Sequence, residues 1–360
     1  MIVFHLTALV ALALALAAFR SGRPPIWLRL AAGACVLGVG LLLACGMGAD
    51  GVFGIAGNLF IAGAIYLPVF LAVAGCLVVR RLPWIGATLL TLAAALVATG
   101  AYARFVEPAR LVVRQHTIQS PRLREPVRIA FITDVQTDAP GDHERRALRL
   151  AMDARPDVIV FGGDYVQQRD NRKADACRRL LNQMLKEAGV GARLGVFALR
   201  GNIGAHEAWD VIFDGTGVRT VEQTLTVTPR DDLRLALLSY PDSLRADLVV
   251  APRHDAFTVV AGHSPDYALA SPAGDLLLAG HTHGGQVRLP LIGPLLTLAH
   301  VPRAWASGVT RLDNGATLIV SNGVGLERRG APRIRLLCPP DIWVIDGIPV
   351  ASTQRAEAVP

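Results

Sequence analysis

A mixed α/β domain behind four membrane-spanning helices is the fold class this 360-residue sequence predicts, and three observations carry it. Apolar residues crowd the first hundred positions. Strand-like runs recur only after them, and those runs end in polar residues set off by glycine. The chain is 52% hydrophobic and 18% charged, with a mean hydropathy of +0.40. Soluble domains carry about 25% charged residues. Composition thus excludes a disordered chain and a wholly soluble enzyme.

Residues 1–103 hold five arginines against a single acid, Asp50. Four charge-free stretches follow one another there: Ile2–Phe19, Leu30–Met47, Val52–Val79 and Leu82–Ala103. A helix of about 20 apolar residues crosses a ~30 Å hydrocarbon core, whereas buried helices of globular domains rarely stay apolar for so long. Each stretch is therefore expected to span a bilayer. Arg20, Arg23 and Arg29 separate the first two spans, Arg80 and Arg81 the last two, and no arginine separates the middle pair. Basic loops face the cytoplasm, so everything after Ala103 is expected outside it. Ile2–Phe19 lacks the basic leader of a cleaved signal peptide, and four retained spans are preferred. The formal charge of +7 sits largely beside these spans, so no nucleic-acid partner is expected.

Of the five cysteines, Cys35, Cys45 and Cys76 fall inside the spans as small apolar residues. Cys177 and Cys338 could pair, but two cysteines make no framework.

After Arg104 the pattern changes. Strands are expected at Leu111–Ile118, Arg128–Thr133, Val158–Phe161, Gly195–Leu199, Leu233–Ser239, Phe257–Ala261, Leu276–Ala279, Thr317–Val320 and Ile342–Ile345. Helical periodicity marks His143–Ala154 and Asn171–Ala188, the latter with an apolar stripe of Cys177, Leu180, Leu181, Met184 and Leu185. Early strands alternate with helices and later ones follow short turns, which implies an α/β sandwich with mixed strands.

The strand ends carry the chemistry. Phe131-Ile132-Thr133 runs into Asp134, and Val158–Phe161 into Gly162-Gly163-Asp164. Phe197–Arg200 runs into Gly201-Asn202, Val259–Ala261 into Gly262-His263, and Leu276–Ala279 into Gly280-His281-Thr282-His283. Ligands of open α/β sheets bind at the carboxyl ends of strands, and glycine there permits tight turns and close approach. Two Asp, one Asn and three His form a ligand set suited to two divalent cations such as Mn, Fe or Zn. His5, His116, His143, His254 and His300 read as ordinary surface or core histidines, and Asp138 and Asp142 as residues capping the helix near His143.

Gly280-His281-Thr282-His283-Gly284-Gly285-Gln286 with Leu289-Pro290, and Ser321–Gly325 through Pro332–Arg335 to Pro339-Pro340-Asp341, make the sequence similar to the membrane-associated bacterial branch of the calcineurin-like metallophosphoesterases. The resemblance runs from about Arg128 to Ile345. It implies a four-layer αββα sandwich with two metal ions, in which a metal-activated water hydrolyses phosphoester or diphosphate bonds. Asp134 and His283 would hold the first ion, Asp164 would bridge, and Asn202, His263 and His281 would hold the second. It places the protein in a bacterial inner membrane, acting on a phosphorylated small molecule or a lipid-linked substrate. The implied divisions are a membrane domain over 1–104, a linker and edge strand over 105–127, the metallophosphoesterase domain over 128–347 and a flexible tail over 348–360.

Two departures stand out. The family's Asp-x-His is Asp134-Val135-Gln136 here, so Gln136 joins the metal candidates through its neutral carbonyl. The family's Gly-Asn-His is Gly201-Asn202-Ile203, which removes a histidine that stabilises charge or protonates the leaving oxygen. His206 is read either as its replacement or as a loop histidine. Without a general acid, diphosphates and esters of acidic alcohols are the favoured substrates. A degenerate, non-catalytic metal-binding domain on a membrane anchor is the alternative. Arg328, Arg329, Arg333 and Arg335, with Arg333 taken as the substrate contact, read either as a phosphate grip or as a solvated basic face.

Overall fold

The computed structural model describes residues 2–20, 25–47, 49, 51–203, 208–328 and 330–350. The chain divides into two units, Met1–Val106 with Arg328–Arg333, and Glu107–Glu327 with Ile334–Pro360.

The first unit is helical. Helices α1 (Ile2–Arg20) and α2 (Ile26–Gly46) are followed by α3 (Gly51–Ile61), a π-turn (Ala62–Tyr66) and α4 (Leu67–Val78), then by α5 (Pro83–Ala101). Four of the resulting helical stretches are long and apolar enough to cross a membrane: Ile2–Arg20, Ile26–Gly46, Gly51–Val78 and Pro83–Ala109. The second begins one turn earlier than the charge pattern suggests, because Arg29 is accommodated with its guanidinium over the Phe19 ring. The π-turn ends beside Pro68, whose missing N–H cannot continue the regular ladder. Buried Phe4, Ala8, Ala11, Ala15 and Phe19 form a helical stripe on α1. Small residues let the helices approach closely, and a side chain at Gly40 would strike Ala11. His5 bonds the Tyr66 hydroxyl at 2.9 Å.

The second unit is a sandwich of two six-stranded sheets. Its strands are β1 (Val112–Ser120), β2 (Val127–Ile132), β3 (Val158–Phe161), β4 (Val196–Leu199), β5 (Arg219–Val221), β6 (Leu225–Arg230), β7 (Leu233–Leu237), β8 (Phe257–Ala261), β9 (Leu276–Ala279), β10 (Arg288–Leu289), β11 (Gly293–Pro294), β12 (Gly308–Arg311), β13 (Thr317–Val320) and β14 (Asp341–Pro349). One sheet runs β1-β14-β2-β3-β4-β5, the other β12-β13-β9-β8-β7-β6, and β10 and β11 make a small hairpin. β2 to β5 are mutually parallel, as are β7, β8, β9 and β13. Each expected strand is present. The sequence reading omitted β5, β6, β12 and the hairpin, where short length or polar alternation at a sheet edge hides the apolar run.

Side-chain alternation builds the layers. Ile129 and Phe131 of β2, Val160 of β3, Val259 of β8 and Leu278 of β9 meet in the core between the sheets. The opposite face of the first sheet, with Ala130, Ile132 and Phe161, packs beneath α6 (Asp142–Asp153) and α7 (Asn171–Glu187). The outer face of the second sheet is covered by Tyr267, Leu248 and Leu312, carried on short turns and loops. The α layer on that side is therefore thin. Asp170 caps α7 by accepting from the Lys173 N–H at 3.0 Å, a contribution of about 1 kcal/mol. At α6 the helix starts after Gly141, whose N–H bonds Glu144 at 2.7 Å, and Asp142 lies in the first turn. Cys177 and Cys338 are free thiols.

Candidate metal centre

Because the central strands of both sheets run parallel, their carboxyl ends gather polar groups at one edge. β2, β3 and β4 deliver Asp134, Asp164 and Asn202, and β8 and β9 deliver His263 and His281. Asp164, His263 and His281 offer ligand atoms within 4.8 Å of one another. His263 Nε2 stands 3.4 Å from Asp164 Oδ2 and 3.0 Å from Asn202 Oδ1. His281 Nδ1 is 3.1 Å from the same Asn202 oxygen, and His283 Nε2 is 3.8 Å from Asp134 Oδ1.

Backbone groups aim these side chains. His263 Nδ1 donates to the Gly162 carbonyl at 2.8 Å, which turns Nε2 inward. His281 Nε2 donates to the Leu298 carbonyl at 3.2 Å, which turns Nδ1 inward. Asp134 Oδ2 accepts from the Thr133 hydroxyl at 2.9 Å and the His281 N–H at 3.0 Å, while Asp164 Oδ1 accepts from the Ile203 N–H at 2.7 Å. Tautomer selection by a second hydrogen bond is how imidazole is oriented toward a metal.

The glycines before the polar residues serve chiefly close approach. A Cβ at Gly201 would collide with the Asp164 carboxylate, and one at Gly280 with the Asp134 carboxylate and Thr133 hydroxyl. Apart from Gly163, at φ 106°, the positive-φ backbone falls on the polar residues themselves: φ is 51° at Asp134, 36° at Gln136, 55° at Asp164, 68° at His281 and 48° at His283. Each such residue stores about 1–3 kcal/mol of strain, and clustered strain of this kind belongs to functional sites.

Burial makes the charge balance severe. Asp134 is fully buried, and burial, with the nearby Asp164 charge, pushes its carboxyl up to about 7. Burial acts in the same sense on Asp164, but the His263 charge and hydrogen bond outweigh it and hold that carboxyl below its usual range. At His263 burial would lower the imidazole; the facing Asp164 and Asp134 raise it to about 9. His281 falls to about 4, through burial and then the His263 charge. His283 lies well below its usual range, through burial and the Arg335 charge.

The residues fit divalent ions. Asp134 Oδ1 and His283 Nδ1 are buried polar atoms without a hydrogen-bond partner among the described residues, and such orphans are costly unless something else meets them. The Asn202 carbonyl, the His281 lone pair and the Asp164 carboxylate converge as acceptors. A cation between them would relieve what a proton on His263 relieves only in part.

Gln136 is also fully buried beside Asp134. Its Nε2 donates to Gln167 Oε1 at 3.1 Å and to Glu327 Oε2 at 2.9 Å. Both partners escaped sequence reading, since neither lies at a strand end, although Gln286 of the histidine motif accepts the Glu327 N–H at 2.9 Å. His206 and Arg329 lie outside the described residues. Arg333 groups with the helical unit. Arg335 is wholly buried and donates to the carbonyls of Asn322 at 2.7 Å, Gly323 at 3.1 Å and Gly325 at 2.6 Å. It secures a loop whose Gly325 N–H bonds the Asp134 carbonyl at 2.7 Å, so a solvated basic face is the wrong description for it.

Comparison with known proteins points to the same family as the sequence motifs. The sequence model of the calcineurin-like phosphoesterases matches residues 127–285. The metallophosphoesterase YkuE of Bacillus subtilis is 28% identical over 275 residues, 70% of this chain and 91% of its own. A metallophosphoesterase of Aquifex aeolicus is 28% identical over 265 residues, 68% of this chain and 95% of its own. The phosphodiesterase YaeI of Escherichia coli is 24% identical over 227 residues, 61% and 82% respectively. Residues 127–285 thus carry a calcineurin-like phosphoesterase domain behind four long apolar helices, and the similarity to metallophosphoesterases supports a metal-dependent hydrolase of phosphoester bonds.

Proposed function

We propose that the protein is a membrane-anchored phosphoesterase that binds two divalent ions, Mn, Fe or Zn, and hydrolyses a phosphoester or diphosphate bond of a phosphorylated small molecule or lipid-linked substrate outside the cytoplasm. The observation that carries the reading is the convergence of Asp134, Asp164, Asn202, His263, His281 and His283 at one sheet edge, with buried acceptor atoms left unmatched. The four apolar helices support the anchor, and the alternating arginine loops support a bacterial inner membrane with the catalytic domain outside.

Asp134, Gln136 and His283 would hold one ion, Asn202, His263 and His281 the other, and Asp164 both. Such ions supply a nucleophile at neutral pH and Lewis-acid stabilisation of the phosphoryl oxygens. The chain's own contribution is orientation. Gly162 and Leu298 carbonyls fix the two imidazoles, and Thr133 and Ile203 each occupy one carboxylate oxygen so that the other faces inward. Asn202 adds a neutral carbonyl oxygen between the His263 and His281 rings.

Ile203 in the position of the family histidine favours a second reading, a metal-binding domain without catalysis. Purified full-length protein in detergent, with its metal content measured, separates the two when assayed on phosphomonoesters, diesters and diphosphates. Ion-dependent turnover of any class supports the enzyme; two bound ions with no turnover support the second reading.

A further inference from the structure

We propose that His300, held by the buried carboxylate of Asp266, is the proton donor to the leaving oxygen. This rests on the phosphoesterase reading and restores the function that Ile203 removes.

Asp266 opens a short helical turn three residues after His263 and is 2% exposed. Its Oδ1 accepts the N–H groups of His300 at 2.7 Å and Val301 at 3.3 Å, and its Oδ2 accepts His300 Nδ1 at 2.9 Å. The His300 side chain is 88% exposed, so the carboxylate fixes one ring nitrogen and leaves Nε2 in solvent. The same loop is tied to the metal centre two residues earlier, where the Leu298 carbonyl accepts from His281 Nε2. His300 thus lies two residues beyond a backbone carbonyl that fixes an imidazole of the site. Burying a carboxylate is expensive, and here its hydrogen bonds serve one exposed imidazole and the backbone that carries it. An imidazole oriented by a buried carboxylate, with its second nitrogen free, is an arrangement that moves protons.

The step balances without any further reagent. Water adds to phosphorus as the bond from phosphorus to the leaving oxygen breaks; that oxygen takes the Nε2 proton, and the water surrenders one to solvent. Solvent then reprotonates His300, whose Nδ1–H stays with Asp266 throughout. The products are an alcohol and a phosphate.

The test uses the full-length, metal-loaded protein and a series of phosphoesters from acidic phenols to simple alkyl alcohols, with His300→Gln and Asp266→Asn beside wild type. His300→Gln should keep wild-type metal content and cleave esters of acidic phenols nearly normally. Alkyl esters should lose about 10²-fold or more, since general acid catalysis is worth 10²–10⁴. Asp266 is a positioning residue, so Asp266→Asn should steepen the leaving-group dependence less. A loss equal across the series, no loss, or a steepening seen in His206→Ala but not in His300→Gln overturns the assignment. Wild type that binds ions yet cleaves no ester overturns both this and the reading beneath it.

Discussion

Gln136 and Glu327, 191 positions apart, meet in a hydrogen bond of 2.9 Å from amide Nε2 to carboxylate Oε2. The other carboxylate oxygen takes Gln167 Nε2 at 2.5 Å, and Gln167 Oε1 takes a second bond from Gln136. With its nitrogen committed twice, the Gln136 amide would meet an ion, on the reading proposed above, through its oxygen. The Glu327 backbone is in turn fixed by Gln286, which joins the first motif of the domain to the histidine motif.

Glu327→Ala should therefore weaken one ion far more than the other. Loss of an outer hydrogen-bond partner costs a metal site about 10–100-fold in affinity. Titration calorimetry of metal-free protein should resolve one weakened and one unchanged site. Equal weakening of both would show that Glu327 supports the whole edge rather than Gln136.

Asp164→Ala should abolish binding of both ions, whereas His283→Ala should reduce chiefly the one shared with Asp134. Metal content after gel filtration reads this directly. One tightly held ion surviving in Asp164→Ala contradicts the bridging role.

Above about pH 6.5 the metal-free protein should lose stability as pH rises; below it His281 and His283, whose imidazoles are lowered, act in the opposite sense. His263 is raised from 6.5 to about 9 and Asp134 from 3.8 to about 7, so in both the folded state binds its proton more tightly than the unfolded one. A raised pKa contributes stability that is complete below the unfolded value and is gone above the folded one. The Asp134 contribution therefore fades between about 4 and 7, and that of His263 between about 6.5 and 9. Ions displace those protons, so metal should rescue the melting temperature most at the alkaline end. A metal-free melting temperature that climbs from pH 6 to pH 9 would refute this sign.

Orientation is open to a fusion experiment. A reporter joined after Pro360 that is active only outside the cytoplasm should be active, and one joined in the Arg80–Arg81 loop should be silent. The reverse pattern would overturn the placement drawn from the arginines.

Much of the sandwich was legible because its central strands are apolar runs with abrupt polar ends. Val158–Phe161 and Leu276–Ala279 coincide with the observed strands, and the residues that follow them, Asp164, His281 and His283, lie at the candidate metal centre. β6 escaped because Thr226, Thr228 and Arg230 interrupt its apolar residues on an edge. The supporting residues were hidden for another reason. Glu327, Gln167 and Asp266 carry no spacing signature, and a buried carboxylate becomes visible only when the fold shows what surrounds it. His300 looked ordinary for the same reason: its partner lies 34 positions away. The excursion of Arg328–Arg333 to the helical unit had no sequence marker beyond its arginines.

The two sheets contribute unlike halves of the centre: acids and an amide from one, imidazoles from the other. Neither half alone brings both ligand classes together, since carboxylate oxygens favour hard ions and imidazoles borderline ones. Contacts of long sequence separation close late in folding, so the chain gains its full appetite for metal only when the sheets have mated. Metal affinity at this edge would therefore report that the two sheets have come together.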